Sequence, residues 1–376
     1  MGSTQELRIG IVGACARGRA FRKALQDRQP HVHLAALCDI DGDALAQAVQ
    51  SMGAERGFCN FEEMFNDGDI DAVIIASPMH LHARQSVAAL ECGLHVLSEV
   101  TPAVTVEECR QLVRAATAST GIYMLAENCN YTTQSLVVGE LVRRGLFGTC
   151  YYAEAEYLHE VKELNERTPW RRKWQTGIDG ITYGTHSLGP VLSWLAGDRV
   201  TEVSCAGSGS HYTDPRGDAY HQDTSVMLCR LASGGLIKVR VDMTSERPPV
   251  TTTYQLQGTG GCYESARRDD EGDRVWLREL TDDPHCWLDL DDLVECYLPA
   301  SWRERPVGTG GHSGSDERVT HAFINAVIDG KSPQPGIHEA MDMTLPGLVS
   351  QRAVASRGWE PVPNSRGWVP ENEGES

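Results

Sequence analysis

The chain has 376 residues, a formal net charge of −18 and twelve cysteines. Its length suggests two domains, and its acidity disfavours a nucleic-acid or anionic-membrane partner, so we expect a small-molecule partner. The cysteines form no CxxC pair, and the opening MGSTQELRIG contains no secretory apolar run. We therefore expect a reduced, cytoplasmic protein without a membrane span.

The first motif is a glycine-containing turn between a strand and a helix. An apolar run at residues 8–12 predicts the strand, and residues 17–26 have helical spacing. In a Gly-x-Gly-x-x-Gly turn, backbone N–H groups bind a pyrophosphate. Cys15 replaces the middle glycine, but its side chain is small, so we predict that dinucleotide binding is retained. The residues predicted to line the turn are Gly13, Cys15, Ala16, Arg17 and Gly18.

An acidic residue lies where a dinucleotide ribose is expected. The second predicted strand, HLAALCD, ends in Asp39, whose carboxylate can accept hydrogen bonds from the ribose hydroxyls. It would repel a 2′-phosphate, which favours NAD over NADP. The alternative is that Asp39 is an ordinary loop residue.

Apolar segments and helices then alternate. The segments DAVIIASP, HVLSEV and IYMLAEN are separated by helices predicted over residues 82–92 and 106–118. This alternation indicates a parallel sheet covered on both faces, with ligands beyond the carboxyl ends of its strands. The residues near those ends that we expect to line the cofactor site are Ser77, Pro78, His82, Glu99 and Asn128.

From residue 150 the pattern changes to successive strands, which predict an antiparallel or mixed sheet. These are YYAEAEYLH, VTEVSCAG, TSVMLCRLA and GLIKVRVDMTS. Such an open sheet is a natural surface for a homo-oligomer. A helix predicted over residues 183–195 interrupts it and places Tyr183 and His186 on one face. A phenol and an imidazole can exchange protons with a substrate hydroxyl; alternatively, His186 is a core histidine bonded to backbone.

Other histidines carry weaker signals. The pairs His31/His33 and His80/His82 have the spacing of strand residues that share a face, but no further ligands lie nearby in the sequence. We therefore predict no metal site. His312, in a glycine-rich stretch, either reaches the cleft or is a loop residue.

The longer motifs resemble the Gfo/Idh/MocA oxidoreductase family, and within it the NAD-dependent α-N-acetylgalactosaminidases and related redox glycosidases. They extend over nearly the whole chain: RIGIVGACARG, HVLSEVTPAVTVEEC, MLAENCNY, LVRRGLFG, YGTHSLGPV, LQGTGGCYES and GHSGSD. The resemblance implies an α/β protein, with a Rossmann domain at residues 1–128 and an α+β domain with a largely antiparallel open sheet at 129–376. Helices near 316–328 and 338–353 are expected to pack back on this body.

Departures from the ordinary dehydrogenases of the family favour the glycosidase branch. Val100 stands where they have a lysine, and Thr182 and Gly189 replace two acidic residues. Gly184 and Ser187 in turn differ from the glycosidase branch. The sugar specificity of that branch is therefore not carried over.

The resemblance implies that NAD oxidises C3 of a sugar, that the ketone acidifies the C2 hydrogen, and that loss of this proton expels the C1 substituent. Water then adds and C3 is reduced again. His186 with Tyr183 is assigned to proton transfer at the oxidised hydroxyl, and Tyr157 to C2 proton removal. The expected substrate contacts are Glu127, Asn130 and His312. A plain dehydrogenase that releases NADH and a non-catalytic NAD-binding sensor remain alternatives.

Overall fold

The computed structural model describes residues 6–26, 31–214, 216–217, 220–248, 251–268, 270–303 and 311–368. They divide into two compact units. The first comprises the described residues within Met1–Asn128, Val307–Met341 and Asn364–Ser376, and the second those within Cys129–Pro306 and Asp342–Pro363. The sequence predicts a single boundary after residue 128. The structure differs from this prediction, because two later segments also belong to the first unit. Contacts with residues far away in the sequence hold them there.

A six-stranded parallel sheet forms the centre of the first unit, with the order β3-β2-β1-β4-β5-β6. Its strands are β1 Leu7–Val12, β2 Val32–Cys38, β3 Arg56–Phe58, β4 Ala72–Ile75, β5 His95–Ser98 and β6 Tyr123–Leu125. Every residue of β4 is buried, as in a strand covered on both faces. The order reverses between β1 and β4, where ligands of such sheets bind. The predicted Rossmann architecture is confirmed.

The helices between these strands are α1 Arg22–Gln26, α2 Gly42–Met52, α3 Phe61–Asp67, α4 His82–Glu91 and α5 Val106–Ala118. A capping box fixes the start of α5, because the Thr105 hydroxyl accepts from the backbone of Glu108 and the Glu108 carboxylate accepts from that of Thr105. The helix predicted over residues 17–26 differs from the structure, which has a 3-10 helix at Arg17–Phe21 followed by the short α1.

A nine-stranded sheet forms the second unit, with the order β14-β13-β12-β11-β7-β10-β9-β8-β15. The strands are β7 Cys150–Leu158, β8 Val200–Gly207, β9 Thr224–Leu231, β10 Leu236–Asp242, β11 Thr252–Gly258, β12 Gly261–Glu264, β13 Arg274–Leu277, β14 Leu288–Asp289 and β15 Trp359–Pro361. Its described neighbours pair antiparallel, except that β10 pairs parallel with β7. The expected largely antiparallel sheet is therefore confirmed.

One face of this sheet packs on helix, since α9 contacts β7, β10 and β11. The helices here are α6 Thr133–Arg143, α7 Lys162–Arg167, α8 Trp170–Trp174, α9 Thr185–Trp194, α10 Asp291–Tyr297 and α11 Ala300–Arg303. Alternate residues of β7 point in opposite directions, so Ala153, Ala155 and Tyr157 are buried while Glu154 is half-buried.

Two long helices follow, α12 Ser315–Asp329 and α13 Ile337–Ser356. Within the first unit, α12 packs against α1 and the 3-10 helix at Arg17–Phe21. Helix α13 begins in the first unit and continues into the second. Within the described ranges, we find no helix with the length and apolarity that a bilayer span requires.

Candidate functional site

The glycine-containing turn of the first unit needs glycine at both of its ends. Gly13 has a φ of +79°, and a Cβ there would lie 2.6 Å from the carbonyl of Ala76. At Gly18 a Cβ would lie 2.7 Å from the carbonyl oxygen of Gly13. Larger residues therefore do not fit at these two positions. Glycine is required at the same two positions of a dinucleotide-binding turn.

Cys15, at the middle position, is held by its backbone. Its N–H donates to Oδ2 of Asp39 at 2.8 Å, which places the predicted ribose-binding carboxylate beside the turn. Burial, followed by the charge of Asp39, raises the pKa of the Cys15 thiol to about 11. The thiol is therefore protonated at neutral pH, and Cys15 behaves as a small side chain rather than a nucleophile.

The segments after β4 and β5 are joined by a buried imidazole. Nε2 of His82 lies 2.7 Å from the carbonyl oxygen of Ser77, and Nδ1 lies 2.8 Å from that of Thr101. Burial lowers the pKa of His82. The ring, predicted to line the cofactor cleft, thus braces the two backbone segments. Pro78 follows Ser77 and precedes the short 3-10 helix that leads into α4.

Arg17 connects the turn to two carboxylates of the first unit. Its Nε donates to Glu99 at 2.6 Å, and its two terminal nitrogens donate to Asp316 at 2.7 and 2.9 Å. This second contact is bidentate, the geometry that best suits a guanidinium and a carboxylate. Glu99 and Arg17, predicted separately as cofactor residues, are therefore in direct contact.

Asp316 is a functional candidate that sequence reasoning missed. It is buried, and besides Arg17 it accepts from Nδ2 of Asn128 at 2.8 Å and lies 3.0 Å from Nδ1 of His312. Burial opposes ionisation, but the hydrogen bonds from Arg17 and His312 outweigh it and hold the pKa of Asp316 well below its usual range. The exposed His312 imidazole therefore has a carboxylate partner, an arrangement suited to proton exchange.

The other predicted substrate residues follow β6. Glu127 is fully buried. The buried side-chain oxygen of Asn130 has no hydrogen-bond partner among the described residues, and Asn130 lies in the 3-10 helix Asn128–Tyr131. An unpaired buried acceptor in a native structure calls for an explanation, and a ligand donor is one.

The second unit brings three predicted residues together. The ring centroid of Tyr157 lies 5.5 Å from that of Tyr183 and 5.1 Å from that of His186, and Tyr183 and His186 are 5.2 Å apart. Tyr157 and His186 are buried. Tyr183 is not on the predicted helix, because α9 begins at Thr185 and Gly184 is its N-cap. The turn before the helix, rather than a shared helical face, brings its ring to His186.

Several side chains hold this cluster and were not predicted from the sequence. Nδ1 of His186 is 3.4 Å from the sulfur of Cys129, and the hydroxyl of Tyr254 donates to the His186 carbonyl at 2.6 Å. The Tyr157 hydroxyl lies 3.0 Å from Nδ1 of His159. Of these three residues, only His159 could have been found from the sequence, because it lies two residues from Tyr157, the spacing of side chains on one face of a strand.

Burial and two neighbouring charges have opposite effects on the pKa of the Tyr157 phenol. Burial raises the pKa of its phenol well above the usual range, and the charges of His186 and Arg171 oppose that rise without cancelling it. Tyr157 is therefore a protonated phenol in the absence of help from a neighbouring base.

The chain is similar over most of its length to curated proteins of one group. It is 29% identical to a glycosyl hydrolase family 109 protein of Saccharopolyspora erythraea, covering 93% of this chain and 81% of that protein. It is 28% identical to an α-N-acetylgalactosaminidase of Shewanella oneidensis, covering 93% of this chain and 83% of that protein.

Solved structures share the fold. Levoglucosan dehydrogenase in complex with NADH and levoglucosan has a TM-score of 0.81 at 22% identity, covering 96% of this chain and all of that one. Apo scyllo-inositol dehydrogenase from Lactobacillus casei has a TM-score of 0.73 at 17% identity, covering 95% of this chain and 98% of that one.

Two family descriptions match successive parts of the chain. Residues 7–127 match the oxidoreductase family with an NAD-binding Rossmann fold, GFO_IDH_MocA, and residues 131–364 match the C-terminal domain of glycosyl hydrolase 109. They confirm the resemblance, the NAD cofactor and an NAD-dependent enzyme. Because the second match covers more than half of the chain, the protein belongs to glycosyl hydrolase family 109, with an NAD-binding domain of the Gfo/Idh/MocA oxidoreductase family.

Proposed function

We propose that this enzyme oxidises the C3 hydroxyl of a pyranoside as the first step of redox-neutral cleavage of its glycosidic bond. The observation that carries the proposal is the cluster of Tyr157, Tyr183 and His186, which offers two phenols and an imidazole within one set of ring contacts. Oxidation of C3 alone needs one proton acceptor. Deprotonation of C2 needs a second one close by, and the cluster can supply both.

The first unit holds the cofactor in this proposal. The turn formed by Gly13, Cys15, Ala16, Arg17 and Gly18 receives the pyrophosphate, and Asp39 binds the ribose. When bound, NAD supplies the acceptor for the C3 hydride and returns it after cleavage. The residues that position its nicotinamide end are Ser77, Pro78, Glu99 and Asn128, with His82 acting through the backbone segments that it braces.

In the second unit, His186 accepts the proton of the C3 hydroxyl as the hydride leaves, assisted by Tyr183. The contact of Nδ1 with Cys129 supports the orientation of its ring, and the bond from Tyr254 to its backbone carbonyl holds the backbone at this position. A buried imidazole with a fixed orientation is suited to this task, since general-base catalysis depends first on geometry.

Tyr157 then removes the C2 proton, which the C3 ketone has acidified, and the C1 substituent leaves. Addition of water at C1 and reduction of C3 complete hydrolysis without net oxidation. We assign substrate contacts to Glu127, Asn130 and His312. The unpaired buried oxygen of Asn130 supports this role, because it can accept a hydrogen bond from a sugar hydroxyl.

The test is NMR of the purified protein with α- and β-glycosides in deuterium oxide, with catalytic NAD and NADH absorbance monitored. The panel includes α-N-acetylgalactosaminides, since one relative carries that name. We expect aglycone release with deuterium at C2 and no accumulating NADH. Stoichiometric NADH with intact 3-keto glycoside would contradict the proposal and establish a plain dehydrogenase. NAD binding without any turnover of the panel would favour a sensor.

We further propose that the enzyme is a cytoplasmic homo-oligomer. The twelve cysteines, all within the described residues, form no disulfide, as is usual in reducing compartments. The face of the nine-stranded sheet opposite α9 carries acids on β7 beside bases on β10: Glu154 pairs with Lys238 and Glu156 with Arg240. Leu228, 36% exposed, lies in the same row. Such a face suits a second copy of itself.

A further inference from the structure

The hydroxyl of Tyr157 has an imidazole partner without a role in the proposed reaction. Nδ1 of His159 is 3.0 Å from the phenol oxygen, and the rings meet edge to face with centroids 5.7 Å apart. The His159 N–H donates to the carbonyl of Asp242 at 2.8 Å, which continues the pairing of β7 with β10. The backbone therefore fixes both side chains, two residues apart, on the same side.

Tyr157 needs such a partner if it is to act as a base. It is only 7% exposed, and burial raises the pKa of its phenol. A phenol that retains its proton at neutral pH cannot accept another one. An imidazole nitrogen that carries no proton can accept a hydrogen bond from the phenol, and can take its proton as the phenol oxygen takes another. The groups whose charges act on the phenol from neighbouring elements are Tyr183, His186, Cys129 and Arg171.

We propose that His159 is a positioning residue for C2 deprotonation, which accepts the Tyr157 hydroxyl proton at Nδ1 while the phenol oxygen takes the proton from C2. The inference rests on the proposed function. The C2–H bond breaks, its electron pair remains on the ketosugar as an enolate, and an O–H bond forms on Tyr157. The former phenol proton is then on His159, from which it passes to solvent. No oxidant or reductant takes part in this step.

The first experiment tests the hydrogen bond without any substrate. In the protein labelled with ¹⁵N-histidine, we expect the His159 ring at neutral pH to carry its proton on Nε2 and to accept at Nδ1. Tyr157→Phe should shift the Nδ1 resonance because the donor is lost. A proton on Nδ1 of the wild-type ring would overturn the proposal whatever reaction the enzyme catalyses.

The second experiment measures C2 hydrogen–deuterium exchange in the most reactive glycoside of the panel. We expect His159→Asn, whose amide can still hydrogen-bond to the phenol, to slow exchange about 10²-fold while C3 oxidation in a single turnover is unchanged. Exchange in the wild type should fall on acidification, because a protonated His159 cannot accept the phenol proton, and this fall should be weaker in His159→Asn. Added imidazole should restore exchange in His159→Ala, an effect that a merely structural role would not produce.

His211→Asn is the matched control. His211 is an exposed histidine of the same unit paired with Asp223, so its replacement should leave the rate and its pH dependence unchanged. Wild-type exchange and pH dependence in His159→Asn would overturn this inference while the proposed function stands. If the wild type neither oxidises C3 nor exchanges C2, the proposed function fails, and the NMR result still decides whether His159 accepts from Tyr157.

Discussion

His186 is the residue whose loss should separate chemistry from cofactor binding. Its ring contacts both tyrosines of the cluster, whereas the predicted NAD residues belong to the first unit. We expect His186→Ala to reduce glycoside turnover by about 10³-fold, because it removes the proposed general base. NAD affinity, measured by calorimetry, should be retained. His211→Ala serves as the control, and undiminished turnover in His186→Ala would refute the assignment.

Cys15 should be replaceable by the glycine that usually stands at its position. The contact of Cys15 with Asp39 is made by the backbone N–H, which glycine keeps, and the thiol is protonated at neutral pH because its pKa is about 11. We expect Cys15→Gly to leave NAD affinity unchanged or to increase it. Titration of both proteins with NAD is the measurement, and Asp39→Ala, which should weaken binding, is the comparison. A large loss in Cys15→Gly would reveal a role for the sulfur.

Spacing singled out Tyr183 and His186, and the family resemblance singled out Tyr157, whereas residues defined by distant partners were missed. Tyr183, His186 and Tyr157 were predicted, and the structure brings their rings together. Asp316 was missed because it meets Arg17 across 299 positions of sequence, a separation that no local pattern encodes. Cys129 was missed for a similar reason, since a single cysteine carries no signal until its imidazole neighbour is known.

At the scale of the element, His82, the first residue of helix α4, leads to a prediction about how stability depends on pH. His82 is buried between two backbone carbonyls, and burial lowers its pKa. The unfolded chain therefore binds a proton below about pH 6.5 more readily than the folded chain does. We expect the free energy of unfolding to be fully retained above that pH and to decline as pH falls towards the lower pKa of the folded state.

Denaturant titrations of the apo protein at a series of pH values measure this decline. His82→Gln keeps one donor but cannot titrate, so it should be less stable at neutral pH and lose less stability on acidification. His285→Gln is the control, because His285 is exposed. If wild type and His82→Gln lose the same stability between neutral and mildly acidic pH, His82 does not cause the acid sensitivity.

Helix boundaries were predictable where side chains mark them. The predicted span 106–118 of α5 matches the structure, and Thr105 and Glu108 supply the capping box that fixes its first residue. Helix α9 begins two residues later than predicted, and Gly184 at its N-cap makes no side-chain cap hydrogen bond. Periodicity alone extended that helix too far towards its N-terminus, because an apolar pattern does not reveal where a turn begins.

For the whole molecule, hydrophobic alternation was sufficient to predict both sheets but not the grouping of the chain. The described residues within Val307–Met341 belong to the first unit rather than to the domain that precedes them in sequence. The contacts responsible are specific: the bidentate pair of Asp316 with Arg17, the ion pair of Glu317 with Lys23, and the backbone bond from Leu125 to Pro335. Each contact joins residues far apart in the sequence, and hydrophobic periodicity carries no information about such pairs.

The open face of the nine-stranded sheet leads to a prediction about assembly. On this face, Leu228 of β9 lies opposite Lys238 of β10, and Lys238 forms an ion pair with Glu154 of β7. If a second copy packs here, Leu228→Glu buries a second carboxylate beside Lys238, which already pairs with Glu154, and the surplus negative charge at the interface should shift the protein towards monomer. Ile328→Glu, at an apolar residue that is 50% exposed in the first unit, should leave the assembly unchanged. Sedimentation velocity at matched concentrations measures both variants; a monomeric wild type, or an oligomer indifferent to Leu228→Glu, would exclude this face as the interface.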